Sequence, residues 1–283
     1  ILLLFSCNES VDYPSLQNNI EKIIKSEKGK FAIAFKNLED GQVILINEME
    51  EFHAASTMKT PVMIEAFKKS FENKISLDDT ILVKNEFISI VDGSLFKLSS
   101  FDDSDKKTYE RIGGHLSLRE LIYEMITISS NFATNLVIDY IGHEDINKTM
   151  RDLGAKDINV LRGVEDIKAY NKGLNNTTTA LDLLKIYENL ALGRVINTKL
   201  SQKMVDILKD QKYDDIIPKY LPKEIEIAHK DGWVSGTRHD SGIVFINDEK
   251  KYVLVLLSKN LEDEIKGADI LAKVSLEIYN SLI

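Results

Sequence analysis

Apolar positions follow two different spacings along this chain. Near both ends they alternate or gather in short β-branched and aromatic blocks. Phe31 to Phe35 and Val43 to Asn47 read as strands joined at Asp40-Gly41, a dipeptide that favours a hairpin turn. Period two returns after Pro222: Ile225 to His229 leads into Lys230-Asp231-Gly232-Trp233, and Ile243 to Ile246 and Tyr252 to Ser258 are joined across residues 247–250. Helical spacing fills most of the rest. Ser15 to Lys28 and Glu264 to Leu282 predict helices beside the two groups of strands. In the middle, Leu118, Leu121, Ile122, Met125 and Ile126 form one apolar stripe behind the capping box Ser117-Leu118-Arg119-Glu120. Further helices end at Gly142 and Gly154, one starts at Thr177-Thr178-Thr179 and runs to about Leu192, and another covers Asn197 to Gln211. Strands at both ends and helices between them predict an α+β fold, an α/β sandwich: one antiparallel sheet built from both chain ends, covered by helices, with an inserted all-helical lobe. The domain is expected over residues 12–283, with an α/β lobe of about 12–53 plus 200–283 and a helical lobe of about 54–199.

One helix breaks the amphipathic rule. From Met58 to Phe67 most positions are apolar, so it is expected to be buried on nearly all sides, yet Ser56 and Lys59 stand at its start. Residues at i and i+3 share a helical face, so the hydroxyl and the amine can meet. Burial lowers a lysine's pKa towards that of a usable base, and a helix start supplies the positive end of the macrodipole. Those are the needs of a nucleophilic serine. The plainer alternative is that Ser56 caps the helix and Lys59 snorkels to the surface. Ser-x-x-Lys recurs at Ser94/Lys97 and Ser104/Lys107. The first of these reads as a turn entering a strand, and the second lies in Asp102 to Glu110, read as a solvated charged loop with no assignable function. Residues 159–176 show neither period, and a loop that long in a compact domain is usually functional or disordered.

Composition narrows the field. A hydrophobic share of 43% supports a packed core, and a formal charge of −9 argues against nucleic acid or an anionic membrane surface as partners. The single cysteine, Cys7, excludes a disulfide framework, and the five scattered histidines show no ligand spacing, so no metal or other cofactor is expected. Residues 1–7 are almost wholly apolar and turn polar at Asn8-Glu9-Ser10. Leu4-Phe5-Ser6-Cys7 resembles a bacterial lipobox, which implies a signal remnant and tether over residues 1–11, a lipid on Cys7 and a periplasmic or cell-envelope location. An apolar strand with a buried thiol is the alternative. No other segment is long and apolar enough to span a membrane.

Three features then occur in order: Ser56-x-x-Lys59, Ser129-Ser130-Asn131 and Lys230-Asp231-Gly232. Together they resemble the Ser-x-x-Lys, Ser-Asp-Asn and Lys-Thr-Gly set of the penicillin-recognising serine enzymes. Met125 to Leu136 is similar to the class A β-lactamase segment around the second motif, and Arg162 to Asn176 to that class's Ω-loop. The resemblance implies Ser56 as nucleophile and Lys59 in its activating network. It implies Ser129 as proton shuttle to the leaving nitrogen, Asn131 binding the substrate's amide side chain, and Lys230 holding Ser129 and the substrate carboxylate. Gly232 would leave room for the acyl group, and the N–H groups of Ser56 and Trp233 would form the oxyanion hole. Glu165 falls at the glutamate that activates the deacylating water, with Arg162 as an ion-pair anchor of the loop and Asn171 near the position of the loop asparagine. Two motif residues depart from the family: Ser130 replaces aspartate and Asp231 replaces threonine. Asp231 adds negative charge where an anionic substrate docks, which Arg238 or His239 could offset. The expected function is a class A-like serine β-lactamase, acting as a monomer on a small β-lactam or a cell-wall peptide. The alternatives are a D,D-peptidase or esterase acting on D-Ala-D-Ala stems, and a non-turnover lipoprotein that binds peptidoglycan or a drug.

Overall fold

A computed structural model of the chain describes residues 11–247 and 249–283. Cys7 and the expected signal remnant lie outside the described residues. Helix α1 (Tyr13–Ile24) leads to β1 (Lys30–Asn37), β2 (Val43–Ile46) and a short β3 (Phe52–His53). A single 3-10 turn, Ala55–Met58, then opens helix α2 (Lys59–Phe71). The middle of the chain holds β4 (Thr80–Leu82), β5 (Phe87–Ile88), β6 (Leu95–Phe96), α3 (Lys106–Tyr109) and β7 (His115–Ser117). Helices α4 (Leu118–Thr127), α5 (Asn131–Ile141), α6 (Glu144–Asp152) and α7 (Ile167–Asn171) follow, then β8 (Thr177–Thr178), α8 (Ala180–Ala191) and α9 (Thr198–Lys209). Strands β9 (Glu226–Val234), β10 (Thr237–Phe245) and β11 (Lys251–Lys259) and helix α10 (Glu264–Leu282) complete it.

The main sheet has the order β2-β1-β11-β10-β9 and is antiparallel throughout, so the two ends of the chain meet where Ala34 of β1 faces Val255 of β11. Both faces are covered, which is why the central strands read as near-continuous apolar runs. Ile33, Phe35, Leu254 and Leu256 pack with Leu16 and Ile20 of α1 and Leu271 and Ile278 of α10. Their neighbours Ala32, Ala34, Val255 and Leu257 face the other way, into a core with Met63, Leu121, Phe132 and Leu183. Small residues on that face of β1 let α8 lie close to the sheet. The α+β sandwich is as the patterning predicted. Edge strand β9 is left with one side free.

Local signals act where they were read. Ser117 and Glu120 form a reciprocal capping box on α4, and Gly142 ends α5 at φ 75°, in the region that favours glycine. Residues 102–110 are a correction: they are not merely a solvated loop. Asp103 and Asp105 are buried, Asp105 caps α3, and Asp103 turns inward to α5. Charge count alone could not show this, because Asp103 is satisfied by the backbone N–H groups of Asn131 and Phe132, distant in sequence, while Asp105 is satisfied by Thr108. No described helix is long and apolar enough to cross a membrane.

Candidate active site

Ser56 lies inside the 3-10 turn before α2, one residue after Ala55, whose φ is +46°. It does not cap the helix: Met58 is the N-cap residue of α2 and makes no side-chain cap bond. Among the described residues, Ser56 Oγ has no hydrogen-bond partner within 3.5 Å. Lys59 does not snorkel either, being wholly buried. Both plainer alternatives therefore fail on geometry. Among the described residues, φ is positive at seven non-glycine positions, and Ala55, Ser129 and Glu165 are three of them. Such strain gathers where the surrounding structure holds functional groups in place.

Lys59 does not hydrogen-bond Ser56 directly. Its Nζ donates to the carbonyl of Ser129 at 2.6 Å, to Asn131 Oδ1 at 2.9 Å and to Ser129 Oγ at 3.3 Å. Burial, reinforced by the neighbouring charge of Lys230, pulls its pKa down to about 7. Lys230 is also wholly buried and donates to Ser129 Oγ at 3.0 Å. The second-motif hydroxyl is therefore within hydrogen-bond reach of both lysine nitrogens, so a proton can pass between it and whichever amine is in the matching protonation state. Ser130 caps α5 by accepting from Ala133 N at 3.0 Å, so a serine satisfies this turn where the family has aspartate.

Asn131 makes hydrogen bonds through both ends of its amide. Its Oδ1 accepts from Lys59, and its Nδ2 donates to Glu165 Oε1 at 2.7 Å. The donor on one side and the carboxylate on the other fix the orientation of the amide. Glu165 is partly buried, and this desolvation raises its pKa above the ordinary carboxylate range.

The loop holding Glu165 is braced without the expected ion pair. Arg162 is buried and donates to Leu174 O at 2.8 Å, Gly163 O at 2.9 Å and Asn175 Oδ1 at 3.3 Å; among the described residues it makes no salt bridge. Asn135 pairs with the backbone of Val164 through both ends of its amide, at 2.7 Å and 2.9 Å. Asn176 closes the loop neck by binding the backbone of Leu161 and Arg162, while its carbonyl accepts from Ala54 N beside the nucleophile turn. Asp166 caps α7 and accepts from Ser89 Oγ and Ile90 N, both at 3.0 Å, tying the loop to the β5–β6 hairpin. Asn171 is exposed at the end of α7 and does not line the site. Sequence reasoning missed Asp103, Asn135 and Asn176. The available signal for Asn135 was an amide directly before the apolar run Leu136-Val137-Ile138 of α5.

Edge strand β9 forms the facing wall. A Cβ on Gly232 would lie 3.1 Å from Thr57 Cγ2 and 3.3 Å from both Ala55 Cβ and His239 Cβ. The glycine is thus needed first for the approach of β9 to the nucleophile turn. Trp233 reaches the cavity but remains 65% exposed, with its Nε1 donating to Glu264 Oε2 at 2.6 Å. Neither Arg238 nor His239 supplies the expected free positive charge. Arg238 lies opposite Trp233, over whose ring it leans at 5.8 Å, and it is ion-paired with Asp215. His239 lies opposite Gly232, but it is buried, bonded to His53 O and to the Arg238 carbonyl, and pushed down to about 4 chiefly by desolvation. Asp231 pairs with Lys230; burial opposes its charge, yet that ammonium holds it below the usual range.

These walls enclose a cavity of about 340 Å3 that Ser56, Asn131, Glu165, Tyr170, Asn176 and Trp233 all line. The cavity wall presents the free Ser56 hydroxyl, the Asn131 amide and the desolvated Glu165 carboxylate, and Lys59, Ser129 and Lys230 are linked to Asn131 by hydrogen bonds. That set holds the residue types that nucleophilic serine chemistry requires. The chain belongs to the β-lactamase enzyme family, whose family model matches residues 15–282, and it is a hydrolase of the class A type. It is 23% identical over 277 residues to β-lactamase BRO-1 of Moraxella catarrhalis, covering 93% of this chain and 84% of that one. It is 25% identical over 276 residues to β-lactamase CTX-M-97 of Escherichia coli, covering 96% and 90%. Two solved structures show the same fold at TM-score 0.81. One, PBP-A, is 23% identical and covers 94% of this chain and 95% of that one. The other, a β-lactamase from Sphaerobacter thermophilus, is 22% identical and covers 96% and 98%.

Proposed function

We propose that the protein is a serine β-lactamase that works through a Ser56 acyl-enzyme and hydrolyses it with water activated by Glu165. In acylation the Ser56 oxygen bonds to the carbonyl carbon as the C–N bond breaks. Neutral Lys59 takes the hydroxyl proton, and Ser129, fed by Lys59 and Lys230, delivers a proton to the leaving nitrogen. The N–H groups of Ser56 and Trp233 receive the oxyanion, an interaction whose loss typically costs on the order of a hundredfold or more. In deacylation Glu165 takes a proton from water as the new C–O bond forms, and the Ser56 ester bond then breaks as a proton returns to the Ser56 oxygen through Lys59. The observation that supports this reading is the hydrogen-bonded chain Lys59–Asn131–Glu165, whose Asn131 and Glu165 line the cavity together with Ser56. The absence of a direct Ser56–Lys59 bond is compatible with it, since such bonds are often loose before substrate arrives.

Intact-mass spectrometry after penicillin treatment tests the nucleophile. One adduct on the peptide containing Ser56 is expected, absent in Ser56→Ala, which stays folded because Ser56 caps nothing. An adduct that persists in that variant overturns the assignment. A wild type that acylates and then stalls would support the D,D-peptidase or drug-binding reading instead. The envelope location and the lipid on Cys7 form a separate proposal: wild type expressed in a Gram-negative host should fractionate with membranes, and Cys7→Ala should not.

A further inference from the structure

The group attached to the leaving nitrogen must lie beside Ser129, because Ser129 Oγ is the proton donor to that nitrogen, and beside Ser129 lie Lys230 and Asp231. Lys230 has three N–H donors. They go to Ser129 Oγ at 3.0 Å, to the Asp231 carbonyl at 3.2 Å and to the Asp231 carboxylate. An anionic substituent arriving there would have to displace a carboxylate already on the cation, or share that cation with a like charge at close range.

Four other basic side chains described at this site are already engaged. Lys59 spends its N–H groups on Ser129 and Asn131 and is held down to about 7 by burial. Arg162 is committed to loop carbonyls and Asn175. Arg238 is paired with Asp215, and the His239 ring is buried with both nitrogens engaged. Asp103, Asp231 and Glu165 add three carboxylates around Lys59.

We propose that Asp231 is a specificity-determining residue that neutralises Lys230 in place, so the site accepts acyl donors whose leaving-group substituent is neutral or cationic and discriminates against a carboxylate there. This rests on Ser56 acylation as proposed above. The physical reason is that a buried internal ion pair removes the attraction that would repay desolvation of an incoming carboxylate, while Asp231 itself repels it.

The test compares a chromogenic cephalosporin with its own methyl ester, following the rate of Ser56 acylation by rapid-mix mass spectrometry. Wild type should acylate with the ester at least as fast as with the free acid. Asp231→Thr, and independently the near-isosteric Asp231→Asn, should lower the ester-to-acid ratio by about tenfold or more, the factor that about 1.4 kcal/mol of relieved repulsion produces. Two substitutions are used so that misfolding of one does not decide the result, and folding is checked by thermal melting. A wild type that favours the acid by tenfold, or a ratio unmoved in both variants, overturns the role of Asp231 while leaving the Ser56 reading intact. If neither compound modifies Ser56, the acylation reading falls, and the specificity inference with it.

Discussion

Asn131 and Glu165 are joined by a 2.7 Å hydrogen bond from the amide to the carboxylate, and the other end of that amide accepts from Lys59. The base proposed for deacylation is thereby linked to the lysine proposed for acylation through one side chain. Glu165→Gln retains an oxygen for Asn131 and removes only the base. The variant should acylate at a near-normal rate and then stall, giving a burst of about one equivalent, with steady-state turnover down by on the order of 10² to 10⁴. Stopped-flow absorbance with a chromogenic cephalosporin reads both phases. Unchanged turnover would place the base elsewhere. Asp166→Asn is not a neutral comparison, because Asp166 ties the same loop to Ser89 and Ile90.

The two steps should depend differently on pH. Lys59, lowered to about 7 by burial and then by Lys230, becomes the neutral base as pH rises, so acylation should increase through about pH 7. Asp103 works in the opposite direction, favouring the charged lysine, while its carboxylate also accepts from Asn131 N at 3.2 Å and Phe132 N at 2.8 Å. Asp103→Asn should therefore move the acylation limb to lower pH. A purely structural role would lower the melting temperature without moving that limb.

Stability should carry its own pH signature from His229. Burial opposes its charge, but Asp240 at 2.9 Å, with Asp214 farther out, raises its pKa to about 9 from 6.5. A raised folded-state pKa contributes stability that is fully present below about pH 6.5 and lost as pH climbs through about 9. Thermal melts from pH 6 to 10 should show that decline, and Asp240→Asn should flatten it. A profile with the same slope in that variant would exclude the pair as its source.

Gly232→Ala tests the approach of β9 to the nucleophile turn. The new Cβ meets Thr57, Ala55 and His239 within 3.3 Å, contacts that backbone or core atoms must relieve by shifting. A loss of about 1–3 kcal/mol in stability is expected from such overpacking. Acylation should fall further than stability accounts for, because Trp233 and Ser56 move apart. Normal acylation in a folded variant would show that the close approach is dispensable.

By itself the chain determined its periodicities, and with them the sheet from both ends, the capping box at Ser117 and the buried helix after Ser56. Those features depend on neighbours within a few residues, where spacing and side-chain chemistry suffice. The three motifs were legible as well, and Ser56, Lys59, Ser129, Asn131, Glu165 and Lys230 do converge. Tertiary structure alone decided how they are connected. Asp103 looked like one charge in a solvated run, yet it is buried against the start of α5, because backbone donors distant in sequence repay its desolvation. Arg162 looked like half of an ion pair, but loop carbonyls lie closer than any carboxylate. Arg238 and His239 are adjacent in sequence and alternate across β10, so register sends one to Asp215 and the other into the core beneath His53. Spacing names which groups a chain carries; only packing decides which of their charges are already spent.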